Sequence, residues 1–138
     1  MRLQSRNGAH VELRAVEATG ETLVVEGVVD ALDGRAWMFR APCLTRAEAR
    51  QLGDWLLKAA KGQIELLERL GFATLSFTLD EHEYGQPRIT VGFSGKTAPA
   101  WLGAEREITF DYPVTLDLTP ESLEAAAVDW ERELKRHR

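Results

Sequence analysis

A chain of 138 residues with 44% apolar side chains can bury one hydrophobic core without staples, and its single cysteine, Cys43, excludes an internal disulfide. No run approaches the roughly 18 apolar residues that cross a bilayer, and Met1-Arg-Leu-Gln-Ser-Arg6 lacks a signal peptide's apolar stretch, so the cytoplasm is the expected location. The net charge of −5 is uneven: residues 1–69 are balanced, residues 70–131 set Arg88, Lys96 and Arg106 against eleven acids, and the last seven return +3.

The chain opens on a polar lead with a turn signal at Asn7-Gly8, after which Val11-Glu-Leu-Arg-Ala15 alternates as a strand does. Thr22 to Asp30 is a second strand whose valines fall on both faces, with Gly27 marking a bulge or a close backbone approach. Asp33-Gly34 is a hairpin signal leading into Ala36-Trp-Met-Phe-Arg40, where Trp37 and Phe39 share one face, Arg40 takes the other, and Pro42 is expected to end the strand. Thr45 and Glu48 form a capping box for a helix whose stripe is Ala49, Leu52, Leu56 and Ala59, widened by Trp55 and stopped at Lys61-Gly62. Gln63 to Leu70 carries Ile64, Leu67 and Leu70 at helical spacing and predicts a short further helix.

Ala73 to Leu79 and Arg88 to Phe93 alternate again, joined by a loop over 80–87. A loop from Ser94 to Gly103 precedes the longest signal, Ile108 to Leu118, with strict period two. Pro113 would cost a ladder bond in a central strand, so this strand belongs at an edge or a bulge. Thr119-Pro120 then caps a final helix with the stripe Leu123, Ala127, Trp130 and Leu134, stapled by Leu118 and Leu123. The order is βββαβββα: one α+β domain over 1–138, a mostly antiparallel sheet of about six strands with two main helices on one face.

Candidate chemistry is sparse. Asp80-Glu-His-Glu83 could hold a divalent ion and serve a metal-dependent hydrolase, but a structural site needs about four ligands and no second His or Cys stands nearby, so a solvated loop is the plainer reading. Cys43 reads as a small hydrophobe, having no base within sequence reach. Asp111 and Asp117 face outward about 20 Å apart in an extended strand, too far to act on one bond, and read as solvating charges. Phosphate-cradling glycine loops, HExxH, GxSxG and CxxC patterns are absent, as are alternating basic and aromatic residues for RNA, so neither catalytic residue nor cofactor is expected.

What remains is binding. Trp101 is either an exposed anchor for a partner or a lid folded over the sheet edge, and the polar sheet face with Arg40, Thr74, Ser76, Thr78, Arg88 and Thr90 is a second candidate. The expected partner is a protein that contacts Trp101, Arg40, Arg88, Asp111 or Asp117, with homo-oligomerisation through the edge strand as a further route; nucleic acid and membrane are not expected. A housekeeping assembly module with another partner is a third class.

Five segments carry a resemblance that spans nearly the whole chain. They are Trp37-Met-Phe-Arg-Ala-Pro-Cys-Leu-Thr45, Glu48-Ala-Arg-Gln-Leu-Gly-Asp-Trp55, Leu75-Ser-Phe77, Pro99-Ala-Trp-Leu102 and Val114-Thr-Leu-Asp-Leu-Thr-Pro-Glu-Ser-Leu123. Together they resemble the WapI-like immunity proteins of bacteria. The resemblance implies a non-enzymatic protein that neutralises a co-encoded polymorphic or contact-dependent toxin, the named example being a nuclease. It supplies no catalytic residues, and the acidic stretch 70–131 is consistent with a basic nuclease as the partner.

Overall fold

Alternation of buried and exposed side chains sorts the strands into two antiparallel sheets in the computed structural model, which describes residues 1–83, 85–107 and 111–137, with backbone alone at 81–83. The first sheet runs in the order β1 (Arg2–Gln4), β2 (His10–Thr19), β3 (Thr22–Asp30), β4 (Ala36–Thr45). Helix α1 (Arg46–Ala60) connects it to the second, ordered β5 (Arg69–Gly71), β6 (Leu75–Glu83), β7 (Gln86–Phe93), β8 (Tyr112–Asp117), and helix α2 (Pro120–Lys135) follows. The α+β class, the antiparallel pairing and the two main helices are as expected. Two three-residue strands, β1 and β5, raise the six expected strands to eight, and the sheet divides in two.

Each sheet turns one face inward. Val11, Leu13 and Ala15 of β2, Leu23, Val25 and Val29 of β3, and Trp37, Phe39 and Ala41 of β4 are buried on one side. Leu75, Phe77 and Leu79, then Ile89, Val91 and Phe93, then Val114 and Leu116 do the same in the second sheet. The sheets meet where the Trp37 and Phe39 rings stand edge-on to Phe93, at centroid distances of 5.2 and 6.1 Å. Helix α1 lies against this core through Trp55, whose ring is 6.4 Å from Phe77. Helix α2 packs on α1, and the fully buried Trp130 indole donates to the Ala49 carbonyl at 2.8 Å. A single cluster of buried side chains therefore joins both sheets and both helices.

Local chemistry explains the boundaries. Both α-helices begin in reciprocal capping boxes: Thr45 with Glu48 at 3.1 and 2.9 Å, and Thr119 with Ser122 at 3.1 and 3.2 Å. Leu118 and Leu123 flank the second cap and are both fully buried, as a staple requires. Helix α1 ends with Gly62 at φ +71° and the paired bonds Gly62 N–H to Ala59 O and Gln63 N–H to Lys58 O, the Schellman arrangement. Pro113 lies on β8, an edge strand, where its missing amide hydrogen costs least.

Two expectations fail. Pro42 does not end β4; the strand continues to Thr45 because the pairing with β3 shifts register between Leu23 and Val25, and the irregularity absorbs the proline on the outermost strand. Residues 63–70 form no helix, since Gly62 has turned the chain and Leu67 takes φ +66°, after which β5 pairs with β6. The expected strand at 108–118 is found over Tyr112–Asp117; residues 108–110 lie outside the described residues.

A seam closes the first segment on the last. The Arg6 amide donates to the Asp117 carbonyl at 3.0 Å, the Asp117 amide to Ser5 Oγ at 2.9 Å, and the Met1 amine to Glu133 at 2.9 Å.

Candidate protein-binding surface

Strand geometry and packing divide the expected contact residues between two separate surfaces. Arg40 projects from the outer face of the first sheet, 3.1 Å from Glu17 and 4.0 Å from Glu26. Arg88, Asp111 and Asp117 lie on the outer face of the second sheet, so Arg40 and Arg88 do not share a face.

On that second face Ser76, Thr90, Arg88, Asp111 and Asp117 are already paired, while Thr74 Oγ1 is buried without a partner among the described residues. Gly92 leaves the gap that Asp111 fills: a Cβ at residue 92 would sit 2.8 Å from the Asp111 carboxylate. The carboxylate accepts from Ser76 Oγ at 2.9 Å and pairs with Arg69 at 3.1 Å. Further along, Thr90 donates to Asp80 and shares a 2.9 Å bond with Thr115, and Arg88 holds Asp117 at 2.7 Å. Asp111 and Asp117 are thus half-buried partners in ion pairs rather than solvating charges. Exposed pairs of this kind add about 0–1 kcal/mol each, so they fix side-chain positions more than they stabilise the fold.

Trp101 unites the two alternatives raised for it. Its ring stands edge-on to Trp37 at 5.5 Å and to Tyr112 at 6.0 Å, covering the junction of the sheets, yet 51% of the residue stays exposed. The support beneath it is fixed. Trp37 lies 5.4 Å from Tyr112, and its indole donates to the Thr97 carbonyl at 2.9 Å, while the buried Thr97 hydroxyl donates back to Thr74 O at 2.6 Å. Those bonds tie the loop after β7 to both sheets, so Trp101 projects from a rigid aromatic base. Glu105 and Glu107 are exposed in the same segment. Alternation alone places Trp37 and Tyr112 on the inward faces of their strands, and periodicity carries no sign that they support an exposed ring.

A concavity of about 310 Å³ runs between α1 and α2. Leu57, Trp130 and Leu134 line its floor, and its charged lining sets Arg46, Arg50 and Lys135 against Asp54 and Glu131, a mixed pattern with one cation in excess. Cys43 is buried, and burial pushes its pKa up to about 12, against the pull of a backbone hydrogen bond and with a further push from the Glu48 charge. A thiol so placed is a packing group, not a nucleophile. The backbone of 81–83 pairs with β7, but the side chains of Glu81, His82 and Glu83, on which the metal reading turned, lie outside the described residues. Among the described residues no three of His, Cys, Asp or Glu gather as metal ligands would. No helix among them is long and apolar enough to cross a membrane.

The family model described as the Immunity protein WapI-like family matches residues 2–138, and the chain belongs to that family. No curated protein matches the chain, and no solved structure matches it either.

Proposed function

We propose that this protein is an immunity protein that neutralises a nuclease-type toxin by binding it, without chemistry of its own, and that Trp101 is the centre of the contact. The observation that carries the reading is the family match over residues 2–138. A half-exposed Trp on a rigid aromatic base has the character of an interface anchor, since such residues give large contact area at little entropic cost. Eleven acids against three bases over residues 70–131 supply the negative field that would steer a basic nuclease domain into place.

The test is co-expression with a nuclease-type toxin domain chosen from the genes neighbouring this one, scoring survival and nuclease activity in the lysate. Wild-type protein should restore growth and suppress cleavage at equimolar ratio. Trp101→Ala should weaken binding by about 2 kcal/mol, roughly thirtyfold, and lower the melting temperature by about 3–6 °C through the lost ring contacts to Trp37 and Tyr112, so binding is measured at a temperature where the variant stays fully folded. Failure of the wild-type protein to bind or protect would refute the reading.

A further inference from the structure

The turn between α1 and β5 shows large apolar side chains to solvent in a way the fold does not need. Leu66 and Leu67 are 61% and 68% exposed and adjacent. Their neighbours Ile64 and Leu70 pack against the core, and the charged flanks Glu65 and Glu68 are exposed. Leu67 also stands at φ +66°, a backbone conformation in which its Cβ crowds the following carbonyl and for which glycine would be the relaxed choice.

The turn is nevertheless held firmly. The Leu67 amide donates to Leu79 O at 2.7 Å, the Leu79 amide to Glu68 O at 3.2 Å, and the Glu68 amide to Glu65 O at 3.0 Å. Strain and exposure are thus combined in a segment clamped to β6. A flexible loop would relax the strain, and Leu32, the other leucine at positive φ (+71°), packs against the core in its hairpin turn, whereas Leu67 with the same strain stands in solvent beside Leu66.

We infer that Glu65-Leu66-Leu67-Glu68 is a second, preformed contact of this protein, which inserts its two leucines into an apolar cleft rimmed by Lys and Arg on the toxin domain. The inference rests on the reading of the chain as a toxin antagonist. The occupant follows from charge: paired glutamates on either side of an apolar tip disfavour an anionic membrane and match a basic rim. They also disfavour a second copy of the same tip, which would bring four carboxylates together. Rigid presentation means that little ordering entropy is lost on docking.

The test compares Leu66→Ser, Leu67→Gly and Glu65→Lys/Glu68→Lys with the wild type, using calorimetric titration against the catalytically disabled nuclease toxin domain that the co-expression test selects. Leu67→Gly should raise the melting temperature by about 3 °C, because the strained backbone relaxes, yet weaken binding at least about tenfold. Leu66→Ser should weaken binding similarly. The double charge reversal should slow association and reduce its salt dependence, leaving the part due to the acids of residues 70–131. If the wild type binds and the leucine variants bind equally well, the inference is overturned while the toxin-antagonist reading stands. If the wild type fails to bind, both fall. A self-association lost in Leu66→Ser with unchanged toxin affinity would also overturn the inference, by assigning the turn to a contact between copies.

Discussion

Gly27 offers a stringent test of how the first sheet is packed. It lies directly opposite Phe39 across β3 and β4, and the Phe39 ring lies over the bare glycine. A Cβ there would be 2.8 Å from Phe39 Cδ1 and closer still to Cε1 and Cζ. Carbon atoms in contact sit about 3.5–4.0 Å apart, so Gly27→Ala must push the ring back by about 1 Å or more. The ring has nowhere to go, being buried and edge-on to Phe93 at 6.1 Å. Overpacking costs about 1–3 kcal/mol, and a disturbed aromatic pair about 0.5–1.5 kcal/mol. Replacing a strand glycine returns about 0.5–1 kcal/mol through lower unfolded-state entropy. The expected net loss is about 2 kcal/mol, which urea denaturation would read as a midpoint lowered by about 1 M. Phe39→Leu on its own should also destabilise, but the double variant should be less destabilised than the sum by about 1 kcal/mol, because the smaller side chain makes room. A loss below about 0.5 kcal/mol for Gly27→Ala, or strict additivity in the cycle, would refute this packing.

Other consequences can be checked in the same preparation. Because burial holds the Cys43 thiol protonated up to about pH 12, the native protein should resist iodoacetamide at pH 8–9 and react fully once unfolded. The raised folded pKa also sets a sign: stability is intact below about pH 9, where the unfolded thiol keeps its proton, and declines between 9 and 12. Cys43→Ala should flatten that decline in pH-dependent melts. Thr45→Ala removes half of the α1 capping box and should cost about 1 kcal/mol by urea denaturation, with Glu48→Ala costing less. Trp130→Phe loses the bond to Ala49 O between the two helices and should cost about 1–2 kcal/mol with little change in circular dichroism.

What could be read in the chain beforehand follows the range of the interactions concerned. Capping boxes, the Schellman stop at Gly62 and the alternation in β7 are local, and Thr45, Glu48, Ile89, Val91 and Phe93 revealed them directly. Strands β1 and β5 are three residues long, too short for a period, and exist because β2 and β6 offer them partners. The division into two sheets was hidden for the same reason, since strand pairing across α1 leaves no local signal. Pro42 misled because a bulge on an edge strand cancels the rule that proline ends strands. At the surface, Trp101 was legible as a large aromatic in a loop of small residues. Leu66 and Leu67 were not, because helical spacing through Ile64, Leu67 and Leu70 suggested a helix where the backbone takes a left-handed turn.

The seam between the first and last segments has a bearing on biosynthesis. Its bonds join residues more than 110 positions apart, at Ser5 with Asp117 and Met1 with Glu133. Contacts of such sequence separation form late and slow the search for the native state. A growing chain on the ribosome can assemble the hairpins of the first half early, β1 on β2 included, but the bonds of Ser5 and Arg6 to Asp117 wait for β8 and that of Met1 to Glu133 for the final helix. Protection of the Arg6 and Asp117 amides in pulsed hydrogen exchange during refolding should therefore trail the formation of β-structure seen by circular dichroism.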